Sequence, residues 1–76
     1  MIRPATAADL PALRELELEL FGADAWSDQS LVEELEAPGR RFVVTDDVSG
    51  YAVTTRSGDM VDLLRMGVRP DFQRQG

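Results

Sequence analysis

The segment 60–68 constrains the fold more than any other part of this 76-residue chain. As a strand it directs two sets of side chains to opposite faces, namely Met60, Asp62, Leu64, Met66 and Val68 on one and Val61, Leu63, Arg65 and Gly67 on the other. Both faces are largely apolar, which is typical of a strand inside a sheet. An exposed apolar edge favours aggregation, so we expect later residues of a larger domain, or a partner, to cover it.

A first helix is predicted over residues 7–21, which contain no β-branched residue. Alternating Glu and Leu at 15–20 have the period of a strand, but the leucines at 10, 13, 16 and 20 form a helical apolar stripe. Thr6 and Asp9 are both candidate N-caps, and Asp9 is preferred because it puts Pro11 in the first turn. Gly22 is expected to end the helix.

The glutamates of this helix allow two interpretations. Glu15, Glu17 and Glu19 are expected to form a solvated helix face. Alternatively, together with Asp24, they attract a cationic peptide N-terminus.

The second helix has clearer boundary signals. Ser27 is expected to cap it, and Trp26 to pack on Leu31 as a hydrophobic staple. Leu31 and Leu35 face inward in this prediction, and the helix ends at the Pro-Gly pair 38–39.

Strands are predicted at both ends of this helical region. A short edge strand lies within residues 1–6, where Pro4 excludes a central position. Three more follow at 41–46, 51–56 and 60–68, separated by turn-rich segments. The order β-α-α-β-β-β predicts an α/β chain of the α+β type, with a mainly antiparallel sheet covered on one face by two helices.

Composition excludes several classes of function. The net charge of −6 divides into −7 for residues 1–37 and +1 for residues 38–76, so nonspecific binding to nucleic acid or membrane is not expected. The chain has no Cys and no His, so neither a disulfide nor a zinc site is expected and no metal is predicted. We expect a cytoplasmic protein, because the chain has no signal peptide and no apolar run long enough to span a membrane.

The residues after the last strand suggest a ligand-binding loop. Gly67 near the strand end indicates a bulge or a close approach by a ligand. Residues 69–71 form a turn, and a polar stretch then ends in Gly76, as at the start of a phosphate-binding loop. An ordinary turn and a frayed terminus are the alternative.

At this point the chain resembles a known family. Residues 63–76, LLRMGVRPDFQRQG, are similar to the fourth strand and the start of the Q/R-x-x-G-x-G/A loop of GNAT-superfamily N-acetyltransferases. The segments IRPAT (2–6), DLP (9–11) and AWS (25–27) are supporting matches, and the Trp-Ser pair of the last one resembles the ribosomal-protein-alanine N-acetyltransferases in particular. The resemblance implies that residues 1–76 are the N-terminal part of a single GNAT domain, truncated within the motif that binds the acetyl-CoA pyrophosphate.

The resemblance also implies roles for individual residues. The backbones of Met66, Gly67 and Val68 would pair with the pantetheine arm of acetyl-CoA, and Gln73, Arg74, Gln75 and Gly76 would begin the pyrophosphate cradle. Some histone-type members carry a catalytic carboxylate where this chain has Asp62, which is therefore a candidate base, although a solvated strand residue is the simpler interpretation. The main catalytic residues, a Glu and a Tyr, are expected beyond Gly76.

The implied function is acetyl transfer from acetyl-CoA to an amine, such as the N-terminal α-amine of a ribosomal protein. We expect residues 1–76 alone to be poorly folded and inactive. The alternative is a noncatalytic acidic module that completes its sheet with a second copy or another partner.

Overall fold

In the computed structural model, which describes residues 1–70, one antiparallel sheet carries two helices. The sheet consists of β1 (Ile2–Pro4), β2 (Arg40–Thr45), β3 (Gly50–Ser57) and β4 (Met60–Val68), in the order β1-β2-β3-β4. Helices α1 (Leu10–Phe21) and α2 (Asp28–Glu36) connect β1 to β2, and 3₁₀ turns lie at Ala7–Asp9 and Gly22–Asp24. The predicted fold class and element order are confirmed.

Helix α1 begins differently from the prediction. Asp9 is its N-cap by position, but its carboxylate makes no capping bond to the helix. Asp9 instead accepts from the Thr6 backbone N–H at 2.8 Å and from both Nη atoms of Arg3 at 2.8 Å. Chiefly the hydrogen bond from Arg3 holds the pKa of Asp9 well below its usual value. Thr6 and Asp9, the two candidates, therefore act together, and Arg3 ties the helix start to β1.

Helix α2 begins as predicted, and its inward side meets the sheet. Ser27 Oγ accepts from the Ser30 backbone N–H at 3.1 Å. Leu31 is fully buried, and Trp26 and Leu35 pack against the same core. Both helices contribute to one hydrophobic cluster with the sheet, whose buried members are Leu13, Leu16, Leu31, Phe42, Val44, Val48, Tyr51 and Val53.

Strand β4 is the edge of the sheet within residues 1–70 and exposes large apolar side chains. Exposed members of β4 are Met60, Val61, Leu63, Leu64 and Met66. On the face opposite the helices, Ile2, Val43, Ala52 and Met66 border a shallow apolar cavity of about 180 Å³. The expectation that segment 60–68 needs a cover therefore rests on a real apolar surface.

Neither a membrane span nor a metal cluster occurs in the described part of the chain. No helix among residues 1–70 is long and apolar enough to cross a bilayer. In the same range, no group of three or more Asp and Glu side chains is arranged to hold a metal ion.

Candidate functional site

A cleft of about 300 Å³ lies between the C-terminal end of α1 and the last residues of β4. Leu20 and Phe21 form one wall, and Met66, Gly67 and Val68 form the other. The second wall consists of the three described residues to which the family resemblance assigns contact with a cosubstrate. The cleft therefore brings a helix end and that strand segment to one site.

Gly67 is required by packing within this site. A Cβ at Gly67 would lie 2.6 Å from Tyr51 Cε1 and 2.7 Å from Leu20 Cδ1. Nonbonded carbon atoms do not approach one another so closely. The close approach expected at this glycine is thus made by two side chains of the protein. The irregularity of β4 lies elsewhere, opposite Val53 and Thr54, where Leu64 is an extra residue in the pairing with β3.

The hydrogen-bond pattern of β4 determines which backbone groups face the open edge. The Arg69 backbone N–H donates to Ser49 O at 2.7 Å, just beyond the pairs Gly50–Val68, Tyr51–Gly67 and Ala52–Met66. Because residues of an antiparallel pair alternate between exchanging hydrogen bonds and turning away, Met66 directs its N–H and C=O away from β3. A chain lying along this edge could therefore pair with the Met66 backbone.

A buried carboxylate that the sequence pattern does not predict is linked to the cleft-lining residue Phe21 through Arg65. Glu17 is 0% exposed, so the expectation of a solvated face is wrong for this residue, whereas Glu15 and Glu19 are exposed. Its Oε1 accepts from Arg65 Nη2 and from the Trp26 backbone N–H, each at 2.7 Å, and its Oε2 accepts from Arg65 Nε at 3.2 Å. A buried carboxylate is tolerated because its charge is paired and its oxygens have donors.

Arg65 extends this cluster to the cleft wall. Its guanidinium lies 3.8 Å from the Phe21 ring centroid and 4.8 Å from the Trp26 ring centroid. It also donates to Asp24 O at 3.1 Å. With its charge committed to Glu17, Arg65 is not a free cation for an anionic ligand, in contrast to a simple interpretation of the basic C-terminal half.

Trp26, in the segment between the helices, is hydrogen-bonded through both its backbone carbonyl and its backbone N–H. Arg14 Nη1 donates to Trp26 O, while Trp26 N–H donates to Glu17. Trp26 thus packs against the hydrophobic cluster that contains Leu31 and also contacts Arg65. We call Glu17, Arg65, Phe21 and Trp26 the ion-pair cluster.

The remaining predicted site residues lie apart from the cleft or outside the described residues. Asp62 is exposed, pairs with Thr55, and lies about 16 Å along β4 from Gly67 at the usual rise per residue. Its role as a base stays a prediction. Tyr51 is buried as expected, tilted against Phe42 at 5.9 Å between ring centroids. The predictions for Gln73, Arg74, Gln75 and Gly76 fall outside residues 1–70.

Comparison with known proteins identifies a fold with the same arrangement. No protein-family model matches the chain, and no curated protein sequence does. A solved structure does match: the ribosomal-protein-S18-alanine N-acetyltransferase from Escherichia coli, with a TM-score of 0.78 and 25% sequence identity. The match covers 100% of this chain and 50% of that enzyme, so this chain spans about half the length of the protein it resembles.

Proposed function

From its likeness to the N-terminal half of a GNAT N-acetyltransferase, we propose that this protein is the acetyl-CoA-binding part of such an enzyme. The observation that carries the proposal is the cleft wall formed by Met66, Gly67 and Val68. These are the residues that the sequence resemblance assigns to the pantetheine arm, and the cleft lies beside an open strand edge. The acceptor in this proposal is a protein N-terminal α-amine, such as the alanine amine of a ribosomal protein. The cytoplasmic location expected from the sequence belongs to the same proposal.

The chemistry follows from the acetyl thioester that acetyl-CoA supplies. The neutral amine attacks the thioester carbonyl carbon, a C–N bond forms, and the C–S bond breaks to release the thiolate. The amine loses its proton to a base, and the thiolate is protonated on leaving. Strand β4 contributes backbone donors that align the arm and polarise the carbonyl oxygen.

A pair of substitutions at Met66 tests this proposal. Met66→Pro removes an N–H that faces the open edge, and an edge strand tolerates proline where that N–H points outward. Met66→Ala removes the side chain but keeps the N–H. We expect Met66→Pro to weaken acetyl-CoA binding about tenfold or more and Met66→Ala to change it far less.

The measurement uses the protein at the length that its gene encodes. Acetyl-CoA affinity is measured by titration calorimetry, and transfer to N-terminal peptides by release of free thiol. Far-UV circular dichroism checks that both variants are folded. Equal affinities for the two variants, or no transfer by the unaltered protein to any α-amine peptide, would refute the proposal.

A second candidate function is favoured by the apolar edge of β4. In a noncatalytic module, this edge would pair with a strand of a second copy or of another protein. Its surface includes Met60, Val61 and Leu63, all more than half exposed. Sedimentation over a range of concentrations would then show association, and the unaltered protein would not bind acetyl-CoA.

A further inference from the structure

The ion-pair cluster joins three separate parts of the chain at one buried carboxylate. Glu17 belongs to α1, Arg65 to β4, and Trp26 to the segment between the helices. Three donors from two directions leave both carboxylate oxygens of Glu17 engaged. Its full burial means that no water replaces a lost partner without rearrangement.

The planar shape of the Arg65 guanidinium allows it to donate hydrogen bonds and to contact an aromatic ring at the same time. The planar guanidinium donates along its edge to Glu17 and to Asp24 O while its face lies 3.8 Å from the Phe21 ring centroid. A lysine retains the charge but offers neither the fork of donors nor the flat face. The position of the Phe21 ring therefore depends on the guanidinium and not on the charge alone.

The cluster also connects the two walls of the cleft. Phe21 belongs to the α1 wall, and Arg65 immediately precedes Met66, the first residue of the β4 wall. Arg65 packs on Phe21 while Glu17 holds it, so the separation of the walls depends on this contact. A change in that contact alters the shape of the cleft without touching the backbone of Met66, Gly67 or Val68.

We propose that Arg65, held by Glu17, is a positioning residue that orients the Phe21 wall for the acceptor amine. The inference rests on the proposed function. If the β4 wall of the cleft binds the acetyl-CoA arm, the opposite wall, formed by α1, is the one available to contact the acceptor amine. Loss of the guanidinium should therefore raise the acceptor KM and leave the affinity for acetyl-CoA unchanged.

The test compares Arg65→Lys with a matched control, Arg3→Lys. Arg3 makes the same kind of bidentate contact with a buried carboxylate, that of Asp9, in the β1 and 3₁₀ region. We expect Arg65→Lys to raise the acceptor KM about tenfold, with kcat and the acetyl-CoA affinity within about twofold of the unaltered protein. Arg3→Lys should lower thermal stability and change none of these kinetic quantities.

Phe21→Leu keeps the ion pair and removes only the stacked ring, so it extends the test should Arg65→Lys fail to fold. It should raise the acceptor KM in the same way. This inference would be overturned if the acceptor KM were unchanged in the folded variants, or if Arg3→Lys raised it equally. In either case, transfer by the unaltered protein would still support the proposed function. Absence of transfer by the unaltered protein would overturn the proposed function itself, and the inference with it.

Discussion

Substitution of Gly67 by alanine provides a quantitative test of the packing between α1 and the sheet. The added Cβ would lie 2.6 Å from Tyr51 Cε1 and 2.7 Å from Leu20 Cδ1. Leu20 is partly exposed, but Tyr51 is 4% exposed and packed against Phe42, so its ring has little room to move. Overpacking of this kind costs about 1–3 kcal/mol. Replacing a strand glycine with alanine returns about 0.5–1 kcal/mol, so we expect a net loss of roughly 0–2.5 kcal/mol.

Gly50→Ala is the matched control, because it lies in the facing strand β3. A Cβ at Gly50 would meet the Gly67 carbonyl oxygen at 3.4 Å and the Val68 and Thr45 side chains at 3.7 and 3.8 Å. These are ordinary contact distances, so Gly50→Ala should be neutral or slightly stabilising. Urea unfolding, followed by far-UV circular dichroism on the protein at its natural length, gives both free energies of unfolding.

The double variant Leu20→Ala with Gly67→Ala separates the two contacts. Removing Leu20 Cδ1 should relieve part of the overpacking, so the two substitutions should cost less together than the sum of their separate effects. If Gly67→Ala is as stable as Gly50→Ala, or if the two effects add without coupling, the close packing described here is wrong.

Two further predictions concern the starts of the helices. Because the pKa of Asp9 is lower in the folded chain than in the unfolded chain, ionised Asp9 stabilises the fold above about pH 4 and that contribution is lost as the pH falls further. Asp9→Asn should therefore show a shallower loss of stability between about pH 5 and 2, measured by urea unfolding at each pH; an identical pH profile would contradict the role of Arg3. Ser27→Ala should cost about 1 kcal/mol by loss of the cap to Ser30 N–H. Ser57→Ala, at the exposed end of β3, is its control, and equal stability of these two serine variants would exclude the cap.

Local sequence signals predict the secondary structure well because they act over a few residues. The Ser27 cap, the Pro-Gly pair after α2 and the leucine stripe of α1 all describe contacts within one or two helical turns. Both ends of β2 and of β3 differ by one residue from the predicted ends. The bounds of β4, Met60–Val68, are the predicted ones. Met66, Gly67 and Val68, which the resemblance of segment 63–76 assigns to a cosubstrate, line one wall of the cleft, and their binding role stays a prediction.

The same local signals do not predict contacts between residues that are far apart in the chain. Glu17 has the spacing of a solvated helix face, and its burial depends on Arg65, which lies 48 residues away in the chain. A single arginine in the largely apolar strand β4 suggests an ion pair with an acidic residue of α1. The sequence does not identify the partner, because eight arginines and fourteen acids allow many pairings. The extra residue Leu64 in β4 is likewise visible only in the pairing with β3.

The sequence by itself determined the elements, their order and the strand segment that forms one cleft wall, because capping, periodicity and turn chemistry are local. Only the tertiary structure decided that Glu17 is buried, that Arg65 lies against Phe21, and that Gly67 leaves room for Tyr51 and Leu20. Each of these depends on side chains that meet only after α1 has packed on the sheet. The energy of such contacts comes from excluding water and matching shapes, which no single segment of the chain contains.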